Sequence, residues 1–271
     1  MLKYFRRKNN KGGTLKLEFN VEISNEINAR IQGITDESEK VDKIFTWLNE
    51  DFEWVQTDYV ERTVEEIMIR KAGNCAEQAK VVERVLTHLG IETRWILEMN
   101  SHPESMERQN YSIELIEKYG YFYSIFGWNH NDHRWLEYYN KHLKQWIPID
   151  TAFGVLGINH WLEKRLSFTF ESIPNTQQII PFCIVALDSN SAASEILSNC
   201  YLIDQFDKFY NGMLSRATVW EEWKSLINKL TNVGIATYSK QGNLHKHQDD
   251  IKSVYNLYLR LKEEVLTKVD I

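Results

Sequence analysis

The residues with the clearest chemical potential lie at Lys71-Ala72-Gly73-Asn74-Cys75-Ala76-Glu77-Gln78-Ala79, where a thiol stands at the predicted start of a helix. From Cys75 the apolar positions Cys75, Ala79, Val82, Leu86 and Leu89 recur at steps of four and three, one stripe of a helix that Gly90 ends. Asn74 is suited to the N-cap, and Glu77, three residues on, can reach back to the cap's own amide, which makes Cys75 the first helical residue. Free amide hydrogens and the positive end of the helix dipole favour an anion at that place, as a thiolate nucleophile requires. Gly73 is expected to let the backbone turn sharply just before the sulfur. The competing reading is a buried structural cysteine at a helix start.

A thiol alone does little, so the elements that could bring it a base come next. Asn131 to Tyr139 and Lys144 to Asp150 are two aromatic-rich extended runs separated by a short polar link, which predicts a hairpin. A four-residue loop Asn140 to Leu143 pairs Tyr139 with Lys144, and counting outward sets His133 opposite Asp150; a two-residue loop, Lys141 and His142, gives the same pairing. Directly opposed residues have Cβ atoms about 4.5 to 5.5 Å apart, close enough for a carboxylate to hold an imidazole in one tautomer. Cys75, His133 and Asp150 are then the three parts of a covalent acyl-transfer site.

These residues resemble the transglutaminase-like core. The resemblance is carried by Gly73-Asn74-Cys75, by Gly90-Ile91-Glu92-Thr93-Arg94, by His133-Arg134-Trp135-Leu136-Glu137, and by Trp146-Ile147-Pro148-Ile149-Asp150-Thr151. Four blocks arrive in the family's order, over about residues 35 to 153. The sequence departs from the pattern in two ways: the proline usual between the acid and the threonine is missing after Asp150, and the connection from Met99 to His133 is long. The resemblance implies an α+β papain-like core, with N-terminal helices and a nucleophile helix packed on an antiparallel sheet, and it implies catalytic roles for Cys75, His133 and Asp150. It also implies an oxyanion donor from an upstream tryptophan. Trp54, or Gln56 beside it, is the candidate, while Trp47 sits in a helix pattern and reads as packing.

Composition narrows the classes. With 43% hydrophobic and 26% charged residues, 12 glycines and 4 prolines among 271 residues, the chain is globular rather than disordered. A net charge of −6 gives no electrostatic footprint for nucleic acid. Three cysteines, Cys75, Cys183 and Cys200, without a CxxC pair fit neither a disulfide framework nor a zinc ribbon and point to a reducing, cytoplasmic setting. The basic N-terminal residues precede no apolar core of a signal sequence, and no run of 18 apolar residues is present, so no membrane segment or targeting signal is expected.

Leu15, Leu17, Phe19, Val21 and Ile23 alternate with polar residues, which predicts an edge strand. Ser24 would cap a short helix to Gln32, and Thr35 would open a longer one with the stripe Val41, Ile44, Phe45, Leu48 and Phe52. Thr63 and Glu66 predict a capping box for a short helix leading to Gly73. Ile91 to Met99 reads as a strand, about 100–119 as a helical insertion, and Tyr121 to Trp128 as a strand or groove wall. His130, Asp132 and His133 form a possible metal cluster, but neighbours in an extended strand point to opposite faces, so no metal and no cofactor is expected; His130 is the alternative base. Ile179 to Leu187 predicts a buried strand, with Cys183 and Cys200 as core residues. Three helical stripes follow: Ile196, Cys200, Ile203, Tyr210 and Met213; Val219, Trp220, Trp223, Ile227 and Leu230; and Ile251, Val254, Tyr258, Leu261 and Val265.

The sequence is therefore read as a catalytic core over 1–189 and a helical C-terminal region over 190–271. The expected activity is thiol-dependent acyl transfer on amide or peptide bonds of a peptide or protein substrate, by a cysteine peptidase or deamidase. Two alternatives stand beside it, a protein-glutamine transglutaminase and a non-catalytic peptide-binding or scaffolding module on the same fold.

Overall fold

The structure is a computed structural model that describes residues 19, 21–56, 60–101, 110, 114, 117, 130–168 and 179–269. The chain is a mixture of helices and antiparallel sheet and resolves into two compact units, Met1–Ile96 with Arg134–Trp161, and Leu97–His133 with Leu162–Ile271.

The first unit opens with α1 (Val21–Arg30), followed by α2 (Glu37–Asp51). The edge strand expected through Val21 and Ile23 is instead the start of α1; residues 15–18 lie outside the described residues. Ile23 and Ile27, one turn apart, are the residues that α1 buries, while Val21 is 77% exposed. Ser24 is not a cap but lies within the helix, its hydroxyl donating back to the Phe19 carbonyl at 3.4 Å. The N-cap of α2 is Asp36 rather than Thr35; its carboxylate accepts from the Glu39 amide at 2.9 Å. Val41, Ile44 and Leu48 are buried as their spacing predicts, with Phe45 and Phe52 packed against them.

A two-residue strand β1 (Glu53–Trp54), helix α3 (Val64–Arg70), a second two-residue strand β2 (Ala72–Gly73) and helix α4 (Cys75–His88) follow. The capping box of Thr63 and Glu66 forms at the head of α3 as read from the sequence. Helix α4 buries Ala79, Val82, Val85 and Leu86 in a core shared with α1, α2 and α3. Strand β3 (Thr93–Ser101) passes from the first unit into the second, and β4 (His130–Asn140) passes back. Within the first unit β4 pairs antiparallel with β5 (Gln145–Asp150), and β5 with β6 (Val155–Leu156), ahead of helix α5 (Ile158–Leu166). Leu136, Tyr138 and Ile149 join the same core as α4.

The hairpin register differs from the expected one. Asn140 pairs with Gln145 and Tyr139 with Trp146, so the loop is Lys141 to Lys144. The Asn140 side chain accepts from the Leu143 amide at 2.9 Å and Lys144 takes a left-handed φ of 53°, which together close the loop one residue later than the sequence suggests.

The second unit holds β7 (Ile180–Leu187), buried along its whole length, paired antiparallel with β8 (Ala193–Ile196). Ile196 therefore belongs to a strand and not to the expected helix. The chain next forms a π-helical turn over Cys200–Gln205 that runs into α6 (Phe206–Phe209), burying Tyr201, Leu202 and Phe206. Cys200 is exposed, contrary to its reading as a core residue, because it opens the turn instead of continuing a helix from Ile196; Cys183 is fully buried. Helices α7 (Trp220–Tyr238) and α8 (Gln248–Val269) bury the predicted stripes from Val219 to Leu230 and from Ile251 to Val265. Among the described residues no helix is long and apolar enough to cross a membrane. Of the expected insertion, Asn110, Glu114 and Glu117 are described, helical and exposed; the expected strand at Tyr121 to Trp128 lies outside the described residues.

Gly234 marks where α7 crosses β7 closely: a Cβ there would lie 2.9 Å from Cys183 Sγ and 2.9 Å from Met99 Sδ. Gly234→Ala gains about 1 kcal/mol of helix propensity but must displace two sulfurs in a packed interior, at about 1 to 3 kcal/mol. The expected net result is a loss of about 1 kcal/mol, measured by urea unfolding.

Candidate active site

Cys75 is the first residue of α4 and is partly exposed, whereas Cys183 is enclosed and burial pushes its thiol up to about 12. Of these two thiols, only Cys75 is accessible to a substrate. The capping box read from the sequence is present: the Asn74 side chain accepts from the Glu77 amide at 3.1 Å, and Glu77 Oε2 accepts from the Asn74 amide at 3.1 Å. Glu77 is 6% exposed, and its second oxygen accepts from Arg62 Nη1 at 3.0 Å. Lys80 Nζ in turn donates to the Arg62 carbonyl at 2.6 Å, fastening the segment before α3 along the head of α4.

Gly73 serves the turn by its size. It does not have a positive φ, but a Cβ at that position would lie 2.9 Å from the Cβ of Glu77. The glycine two residues before the cysteine is thus what lets Glu77 fold back over its own cap.

Strand β1 runs parallel to β2, with Glu53 paired to Ala72 and Trp54 to Gly73. Trp54, the last residue of β1, is 55% exposed, and Gln56, two residues past that strand, is also exposed. Trp47 is engaged elsewhere, its indole N–H donating to Asp51 Oδ2 at 3.0 Å and its ring lying under Arg30.

Asp150 ends β5 and is buried, with Oδ1 accepting from the Ala152 amide at 3.0 Å. His133 lies in β4 and is 5% exposed. The observed pairing ends at Leu136 with Ile149, one step short of Asp150, and runs in a register that does not set His133 directly opposite Asp150 as expected.

Three residues of the sequence blocks acquire a role that spacing did not reveal. Arg94 in β3 donates from Nε to Glu137 Oε2 in β4 at 2.5 Å, and its guanidinium lies 4.4 Å from the centroid of Trp146 in β5. Trp146 meets Tyr139, its direct partner, edge-on. With Glu137 at 3% and Arg94 at 15% side-chain exposure, this ion pair fastens β3 to β4 beside the strand that carries Asp150.

Residues 25–151 match the sequence profile of the transglutaminase-like superfamily, a span that contains the nucleophile turn, the Arg94 cluster, His133 and Asp150. This segment is similar to the transglutaminase-like superfamily. No curated protein matches the chain. Among solved structures, a "putative cysteine protease" from Cytophaga hutchinsonii is 16% identical with a TM-score of 0.34, covering 50% of this chain and 40% of its own. A "putative protease" from Parabacteroides distasonis is 12% identical with a TM-score of 0.31, covering 50% and 26%. The Rad4–Rad23 complex bound to a 6-4 photoproduct UV lesion is 9% identical with a TM-score of 0.34, covering 89% and 51%. The chain thus spans about half or less of the solved chains it resembles. The four sequence blocks fall within the matched span, whose order of elements, from helices through α4 to antiparallel strands, is the one the resemblance implied.

Proposed function

We propose that the transglutaminase-like core is a thiol-dependent hydrolase of amide or peptide bonds in peptide or protein substrates. The observation that carries this reading is Cys75 itself, a partly exposed thiol at the first position of α4, on a turn braced by Asn74, Glu77 and Arg62. In the proposed reaction the Cys75 sulfur attacks the carbonyl carbon, and His133 takes the thiol proton and delivers it to the departing amine. Asp150 holds the imidazole in the tautomer that can do this. The Cys75 amide, with Trp54 at the end of β1 or Gln56 just after it, would bind the oxyanion.

A thioester then meets water or an amine. Water is present at every exposed site, whereas an amine acceptor needs a surface that binds it, so hydrolysis asks nothing of the chain beyond the site. The test supplies glutamine-containing peptides together with a labelled primary amine, with and without calcium, and compares amine incorporation with acid release. Acid release is expected to dominate and to be indifferent to calcium. Dominant amine incorporation that requires calcium would make the activity that of a transglutaminase, with Cys75, His133 and Asp150 in the same roles.

A further inference from the structure

We propose that Gln78 is a positioning residue that sets the oxyanion-binding strand against the nucleophile, an inference that rests on the acyl-transfer reading above. Gln78 sits one turn after Cys75 on α4 and is 2% exposed. Its Nε2 donates to two main-chain carbonyls, Gly73 at 3.1 Å and Glu53 at 3.3 Å. Gly73 belongs to the turn that delivers Cys75, and Glu53 belongs to β1, the strand that ends at Trp54 and is followed by Gln56.

Strands β1 and β2 are two residues long, and β1 is exposed. The main-chain bonds that flank their pairing are Glu53 N–H to Lys71 at 2.9 Å and Val55 N–H to Gly73 at 3.2 Å. So short a ladder has little cooperativity of its own. Gln78 bonds both strands to the helix that bears the nucleophile, so that the donor strand and the sulfur share one rigid reference. A tetrahedral oxyanion is stabilised only by donors already in place, to within about 0.5 Å. Two acceptors around one nitrogen also fix the orientation of the amide: an oxygen there would face two carbonyl oxygens. That makes Gln78→Glu, equal in size, the discriminating substitution.

The test separates two reactions of the same sulfur. In acylation by para-nitrophenyl acetate, a sulfur–carbon bond forms through a tetrahedral oxyanion, the carbon–oxygen ester bond breaks, and the electron pair leaves with para-nitrophenolate. In alkylation by iodoacetamide, sulfur displaces iodide and no oxyanion forms. For full-length Gln78→Glu at neutral pH, acylation of Cys75 should fall about tenfold to a hundredfold, while alkylation stays within about twofold of the unaltered protein. Acylation relative to the unaltered protein should recover in part as pH falls, since the introduced carboxyl group regains one donor once it is protonated.

Gln78→Met, close in size and without a donor, should show the same split without the pH recovery, and it replaces the first variant if that one does not fold. Equal loss of both reactions, unchanged acylation, or failure of both variants to fold would overturn the positioning role. Cys75→Ala in the Cys200→Ser background is the separate control: if it is acylated like the Cys200→Ser protein, the acyl-transfer reading itself fails.

Discussion

Cys75→Ala is expected to remove amidase and peptidase activity by roughly ten-thousandfold or more while leaving the protein folded. The expectation for stability follows from the local structure. The cap of α4 is made by Asn74 and Glu77, whose hydrogen bonds use no atom of the Cys75 side chain. Alanine is the best helix former, so the change in folding free energy should stay within about 1 kcal/mol. The expectation for activity follows from covalent catalysis: without the sulfur no thioester can form, and the remaining groups stabilise only a direct attack by water. The measurement is turnover on a panel of glutamine-containing and unmodified peptides, with circular dichroism to confirm the fold. Turnover at the level of the unaltered protein would exclude Cys75 as the nucleophile.

The largest effect on stability is expected from the Arg94–Glu137 pair. Arg94→Leu leaves the Glu137 carboxylate, 3% exposed, without the guanidinium that sits 2.5 Å away, and it strips the face of Trp146 of its cation. Breaking a buried ion pair on one side costs about 3 to 5 kcal/mol, because the surviving charge keeps its desolvation penalty. The double variant Arg94→Leu with Glu137→Leu removes both penalties and should recover more than half of that loss. Urea unfolding of the two single variants and the double variant gives the coupling energy directly. Equal instability of the double variant and Arg94→Leu would show that packing around Trp146, rather than charge, is what the pair maintains. Loss of the pair should also lower activity, since β4 and β5 carry His133 and Asp150.

What could be read from the chain was local. The start of α4 at Cys75 is fixed by a cap, a residue three positions later and an apolar stripe, all within one or two turns, so the sequence carries it whole. The same holds for the capping box of Thr63 and Glu66 and for the stripes of α7 and α8. The α1 region was ambiguous for a physical reason: Ile23 and Ile27, four apart, satisfy both a strand period of two and one turn of a helix. Packing decided in favour of the helix. At Cys200 the departure came from the start of the π-helical turn: Ile196 lies in β8 and the helical segment begins only at Cys200, so no helix joins the two positions in one stripe.

The hairpin separates the two kinds of information most clearly. Sliding the loop by one residue at both ends leaves its length unchanged and moves each pairing by two, so every side chain keeps its face and the hydrophobic pattern stays the same. The sequence by itself therefore determined which residues alternate along each strand of the hairpin, and that a thiol opens α4. Which strand residues stand directly opposed was decided only by the Asn140 side chain and the left-handed Lys144 that close the turn. Tertiary structure alone brought Arg94 to Glu137 and Trp146, residues from three strands, and folded the Gln78 amide onto Glu53, 25 positions earlier in the chain. Short-range periodicity carries no information about such partners, because contacts across strands depend on the register and on the core that both sides share.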